Sequence, residues 1–194
     1  MFRIFIAINL APDTKDKLED IKKEIQDSFP EESRRGLIKW VDKKNLHITL
    51  VFLGPVEKEN LATINQIIKK ISQNKKPFTL KIKNVSYGPS QKIPPRLIWL
   101  EIERNSGLSD LAQEIKDEII SANILDKDEK KNFSPHITLG RIKEWQWRKI
   151  EPEERPDIEK EINLKVNVDS IEIMESQLKR NGPEYIIIES LKLT

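Results

Sequence analysis

The segments NLHITLVFLG (residues 45 to 54) and FSPHITLGR (residues 133 to 141) share one tetrapeptide: His47-Ile48-Thr49-Leu50 recurs as His136-Ile137-Thr138-Leu139. These are the only two histidines of the 194-residue chain, and they stand beside two of its six threonines. A threonine two places after both histidines is an event of roughly one in a thousand by chance, before the matching Ile and Leu are counted. In an extended strand, residues i and i+2 point to the same face. His47 and Thr49 therefore look one way while Ile48 and Leu50 face the core, and His136 and Thr138 do the same.

What precedes each copy repeats as well. Residues 2 to 9 read as a largely buried strand, and Leu18, Ile21, Ile25 and Phe29 then recur at helical spacing up to Pro30. A polar loop through Arg34, Arg35 and Gly36 leads to short strands at Leu37 to Val41 and Leu46 to Leu53 around the turn-like Asp42 to Asn45, with Gly54 and Pro55 as terminator. In the second half, Arg96 to Glu103 is the strand, and Leu108, Leu111, Ile115 and Ile119 mark the helix. The charged loop Asp126 to Lys131 leads into the strand Phe133 to Ile142. Between the halves lie a helix marked by Leu61, Ile64, Ile68 and Ile71, a strand at Phe78 to Tyr87 and a loop at Gly88 to Pro95. Two more strands, residues 162 to 174 and 184 to 193, flank a turn at Asn181, Gly182 and Pro183. Two copies of a strand, helix, loop, strand unit are too few and too long for a solenoid. The expected fold is α+β and bilobal: two pseudo-symmetric lobes of mostly antiparallel sheet, helices outside, the cleft between them. It is expected as one two-lobed domain over residues 1 to 194, with repeat units at about 2 to 54 and 96 to 142.

Composition narrows the chemistry. The chain is 37% hydrophobic and 34% charged, with net charge +2, so it can bury a core and has no global field that demands a polyanion. The absence of cysteine excludes disulfides, thiolate catalysis and cysteine-based metal sites. No stretch approaches the roughly 18 apolar residues of a membrane span, and the alternating N-terminus lacks the pattern of a signal peptide. The expectation is a cytoplasmic monomer with no membrane attachment. G-x-S-x-G, P-loop and G-x-G-x-x-G motifs are all missing, so neither a serine-elbow hydrolase nor a bound nucleotide cofactor is indicated.

An imidazole titrates near pH 6.5, so one of a pair can accept a proton while the other donates. Set on opposite sides of a phosphorus, they suit in-line cleavage of a phosphoester, with the Thr49 and Thr138 hydroxyls donating to the non-bridging oxygens. Arg141 could add a charge-assisted contact to phosphate, although an arginine at a strand end is equally ordinary as surface. Two histidines with threonine partners supply too few ligands for a metal centre, so none is expected. Trp40, Phe52 and Trp99 are candidates to stack on bases, and Arg34, Arg35, Lys43 and Lys44 to follow a nucleic-acid backbone. Each has a plain alternative, as core or as solvated loop. Trp145 and Trp147 have no assigned role, and Glu144 to Lys160 reads as a surface loop or helix.

LIKWVDKKNLHITLVFLG (Leu37 to Gly54), FSPHITLGR, the opening RIFIAINL and PRLIW (Pro95 to Trp99) together resemble the RNA 2',3'-cyclic phosphodiesterase family, long called 2'-5' RNA ligases, of the two-histidine phosphoesterase superfamily. The likeness spans nearly the whole chain. It implies metal-independent hydrolysis of a terminal RNA 2',3'-cyclic phosphate to a 2'-phosphate without a cofactor, with reversible 2'-5' ligation as a side activity. It also implies His47 as proton donor and His136 as proton acceptor; Thr49, Thr138 and Arg141 remain the candidate substrate-binding residues from the chemistry above. Val51 stands where that family often has Lys, and Gly140 where it often has Ala. The competing readings are a binding module that grips RNA phosphate ends without turnover, and a phosphodiesterase for a small cyclic nucleotide.

Overall fold

The computed structural model describes residues 1–34, 36–89, 93–126, 133–180 and 182–194. Arg35, Asn181 and most of the 126 to 131 loop therefore lie outside the described residues. The chain runs β1 (Phe2–Asn9), α1 (Pro12–Ser28), α2 (Glu31–Arg34), β2 (Ile38–Trp40), a 3-10 turn at Lys43–Asn45, β3 (His47–Val56), α3 (Asn60–Ser72), β4 (Phe78–Gly88), β5 (Leu97–Ile102), α4 (Ser106–Ser121), β6 (His136–Ile142), α5 (Glu144–Trp147), β7 (Lys160–Val168), β8 (Ser170–Lys179) and β9 (Gly182–Lys192). The fold is α+β, and every strand pairing is antiparallel.

The order β7-β4-β5-β6-β3-β1-β8-β9 places the two histidine strands side by side in the middle. They meet at a single residue pair, Ile48 opposite Ile137, the second residues of the two tetrapeptides. Beyond that pair they part, and the short β2 takes over the freed edge of β6, with Trp40 opposite Gly140 and Ile38 opposite Ile142. Two four-strand runs thus diverge from one contact. On β6 and β3 the seven residues from each histidine have the same burial sequence, with the first and third half-buried, the sixth exposed and the others buried. Buried residues from both runs, Ile6, Ile48 and Leu53 on one side and Ile98, Ile137 and Val166 on the other, belong to one contiguous apolar cluster.

Both histidine strands contain a bulge at the same place. Ala7 pairs with Thr49 and Ile6 with Val51, which skips Leu50; Trp99 pairs with Thr138 and Ile98 with Gly140, which skips Leu139. An extra residue in one strand shifts the alternation by one. The side chain three places after each threonine is thereby the exposed one: Phe52 on β3 and Arg141 on β6.

Three expectations about elements need correction. β3 does not stop at Gly54-Pro55 but runs to Val56, a second irregularity near Gly54 (φ +73) taking up the turn in the backbone. At Pro55 β3 has left β6 and pairs only with β1, Arg3 opposite Pro55, so the strand there is an edge, where proline is tolerated. Residues 162 to 174 are two strands, not one, divided at Asp169, and together with β9 they make three strands at the C-terminus. The stretch after Glu144 is not merely surface either: Trp147, Ile150 and Ile158 are buried, with the Trp147 ring edge-on to Phe29 and Tyr87. No helix among the described residues is long and apolar enough to cross a membrane.

Candidate active site

All five residues singled out in the sequence, His47, Thr49, His136, Thr138 and Arg141, line one cleft of about 840 Å³ where the two strand runs diverge. Each imidazole is anchored in the same way. His47 Nδ1 donates to the Asn45 carbonyl at 2.7 Å and His136 Nδ1 donates to the Ser134 carbonyl at 2.7 Å, each two residues back along the chain. A carbonyl can only accept, so Nδ1 keeps its hydrogen and Nε2 is the nitrogen that gains and loses a proton. Thr49 Oγ1 lies 2.9 Å from His47 Nε2, donating to the neutral ring and accepting from the charged one.

The surroundings of the two rings differ. His47 is packed by Phe5 and Tyr185, each with ring centroid 5.1 Å away, Tyr185 edge-on. Asn45 ties Tyr185 to this arrangement: its side-chain amide donates to the Pro183 carbonyl at 2.9 Å and its Oδ1 accepts from the Tyr185 amide at 3.3 Å. His136 instead lies against the Trp99 indole at 4.6 Å. That indole is fixed by donation from Nε1 to Ser86 Oγ, which in turn donates to Glu101, the cross-strand neighbour of His136. Gly88 leaves room for it, since a Cβ there would fall 2.4 Å from the ring.

Burial, the larger effect, and the charges of Lys15, His136 and Arg141 lower the proton affinity of His47, whose pKa drops to about 4 against the pull of its carbonyl partner. His136 is lowered too, first by burial and then by Arg141. Both rings are thus neutral in the empty cleft at neutral pH. A negative charge brought close to either ring would raise its proton affinity again.

Other sequence candidates have different positions. Trp40 and Phe52 do line the cleft, whereas Trp99 backs His136 as described. Arg34 closes the C-terminus of α1, donating to the Phe29 and Asp27 carbonyls at 2.9 and 2.7 Å. Lys43 is paired with Asp16, and Lys44 with Glu184 at 2.9 Å. Sequence reasoning missed Phe5 and Tyr185, whose proximity to His47 depends on long-range pairing, and Asn45, whose carbonyl holds the ring from two residues back. It also missed two lysines of α1, Lys15 and Lys22, which occupy buried positions. Among the described residues, no group of three or more His, Cys, Asp or Glu side chains is placed to hold a metal ion.

Comparison with known proteins gives the family. A protein named RNA 2',3'-cyclic phosphodiesterase from Thermotoga maritima is 33% identical over 96% of this chain and 92% of its own length. One of the same name from Methanocaldococcus jannaschii is 31% identical over 96% and 98%. The crystal structure of E. coli LigT complexed with 3'-AMP superposes with a TM-score of 0.74 at 26% identity, covering 100% of this chain and 98% of that one. The family described as LigT like Phosphoesterase matches residues 8–99 and again residues 101–185, nearly the whole chain in two successive segments. The chain belongs to that family and is a phosphoesterase.

Proposed function

We propose that the chain opens the 2',3'-cyclic phosphate at the end of an RNA, leaving a 2'-phosphate, by general acid–base catalysis without a metal. The observation that carries this reading is the matched pair of arms: two imidazoles in one cleft, each with Nδ1 fixed on a carbonyl and Nε2 as its titrating nitrogen. His136 accepts the proton of the attacking water and His47 donates one to the departing 3' oxygen, on opposite sides of the phosphorus. Thr49 and Thr138 donate to the non-bridging oxygens, and Arg141 holds the phosphate charge from the sixth position of β6. The assignment of donor and acceptor follows the family resemblance, since both imidazoles present a titrating Nε2 in the same way. The domain reading, one two-lobed unit built from repeats at about 2 to 54 and 96 to 142, is supported by the two successive family matches and by the shared burial sequence and bulge of β3 and β6. RNA as substrate is supported by the names of the curated relatives.

The test is to incubate pure protein with an oligoribonucleotide ending in a 2',3'-cyclic phosphate and, separately, with a 2',3'-cyclic mononucleotide, each with and without EDTA. The expected result is a 2'-phosphate end on the RNA, unchanged by chelation. A 3'-phosphate would exchange the roles of His47 and His136. Turnover of the mononucleotide alone would move the substrate class, and binding with no turnover of either would replace the enzyme by an end-binding module.

A further inference from the structure

Two imidazoles related by a repeat start out equivalent, whereas acid–base work needs them to differ. Besides their different aromatic neighbours, the rings differ in a nearby buried charge. Lys15 in the first turn of α1 is only 8% exposed. Its Nζ donates to Asn9 Oδ1 at 2.8 Å and to the Lys44 carbonyl at 2.9 Å. Both acceptors adjoin His47: Asn9 is its cross-strand partner on β1, and the next carbonyl after Lys44, that of Asn45, receives the His47 Nδ1 hydrogen. Behind Asn9, the buried Glu172 carboxylate accepts from the Asn9 backbone N–H at 2.8 Å and from the hydroxyls of Ser170 and Ser190.

Among the described residues, α4 of the second lobe buries no charge. On α1 the buried positions Lys15, Leu18 and Lys22 are spaced i, i+3, i+7; on α4, which follows β5 as α1 follows β1, the same spacing falls on Leu108, Leu111 and Ile115. At that spacing α4 buries only leucine and isoleucine, whereas α1 buries two lysines. The charged groups facing Lys15 are Glu172 on β8, Lys43 in the 3-10 turn and His47 on β3. Among the described residues, those facing His47 are Lys15 from α1 and, from β6, His136 and Arg141. Arg141 acts on both rings, and Lys15 is the cation of the two that bears on His47 without being assigned to His136.

We propose that Lys15 is a positioning residue that distinguishes the two histidines, its ammonium locking the turn that holds His47 Nδ1 and setting a fixed positive charge behind that ring. The proposal rests on the acid–base reading above. A cation behind the donor makes its imidazolium a stronger acid, ready to release its proton once the phosphate anion has allowed it to be loaded.

With only two histidines, the ring resonances can be assigned by His47→Gln and His136→Gln and followed by NMR titration of the ligand-free protein. Lys15→Met is expected to raise the His47 midpoint by at least half a unit, about a threefold gain in proton affinity, and to leave His136 in place. Lys15→Arg, which keeps the charge, is expected to retain the wild-type value. Lys22→Met serves as the packing control: Lys22 is equally buried on the same face of α1 but donates to the Val41 carbonyl. An unchanged His47 midpoint in folded Lys15→Met protein overturns the proposal, as does an equal shift in Lys22→Met or a common shift of both rings. The acid limb of kcat/KM is expected to follow the His47 midpoint. A ring that shifts while the limb stays put supports the role of Lys15 and instead refutes His47 as the donor.

Discussion

At the residue scale the decisive atoms are the two Nε2 nitrogens. Replacing either His47 or His136 by Ala is expected to lower turnover by at least the ~100-fold typical of losing a general acid or base. Folding should survive, because the adjoining Ile48 and Ile137 keep their burial. Steady-state rates together with urea melts check both halves of that statement. The pH dependence follows from the depressed affinities. From sequence alone, a pair of ordinary imidazoles would give a bell centred near neutrality. In the empty cleft, however, the midpoint of His47 is about 4 and that of His136 also lies below 6.5. In the proposed mechanism the productive state has one ring charged and one neutral, so kcat/KM, which reports the free enzyme, is expected to peak on the acid side of pH 6.5. The kcat profile, which reports the anion-loaded enzyme, is expected to lie at higher pH. Coincident profiles centred above pH 7 would contradict this. The histidines and threonines were legible because their spacing matches a strand. The cleft-facing position of Arg141 was not, because an odd offset from Thr138 reaches the same face only through a bulge that no letter announces.

At the element scale, the second histidine depends on an indole laid across a glycine. A methyl group at Gly88 would lie 2.4 Å from the Trp99 ring. Gly88→Ala is therefore expected to push Trp99 off His136, at about 1–3 kcal/mol of stability, and to reduce kcat more than it raises KM. The clash needs the ring, so Gly88→Ala should change little further in a Trp99→Ala background. Additive losses in that double-mutant cycle would show that the glycine acts elsewhere. Sequence patterns recovered these elements unevenly, and for identifiable reasons. The break at Asp169 is written in the letters: Ile162, Leu164, Val166 and Val168 keep one parity while Ile171 and Ile173 take the other. The passage of β3 through Gly54-Pro55 was hidden, since whether a proline ends a strand depends on which neighbour its nitrogen faces. Lys15 and Lys22 sit at core spacing on α1, yet their buried amines depend on carbonyls and an asparagine presented by distant segments.

At the scale of the whole molecule, the repeat foretold two lobes and a cleft, and the tetrapeptides foretold which strands would line it. It did not foretell that β8 and β9 return to complete the first run, or that β9 delivers Tyr185 to His47. Those neighbours are chosen by packing over more than a hundred residues of separation. The single pair of Ile48 and Ile137 gives the molecule a built-in gauge. Every relative twist of the two strand runs must strain or open that one rung, while the flanking ladders of β1 with β3 and β5 with β6 stay intact. Deuterium uptake at these two amides therefore measures how often the jaws part, set against the slower uptake within the flanking ladders. A phosphate bridging both threonines would clamp the jaws, so inorganic phosphate is expected to slow uptake at residues 48 and 137 selectively. Uniform slowing across the sheets would mean that the two runs move as one rigid body.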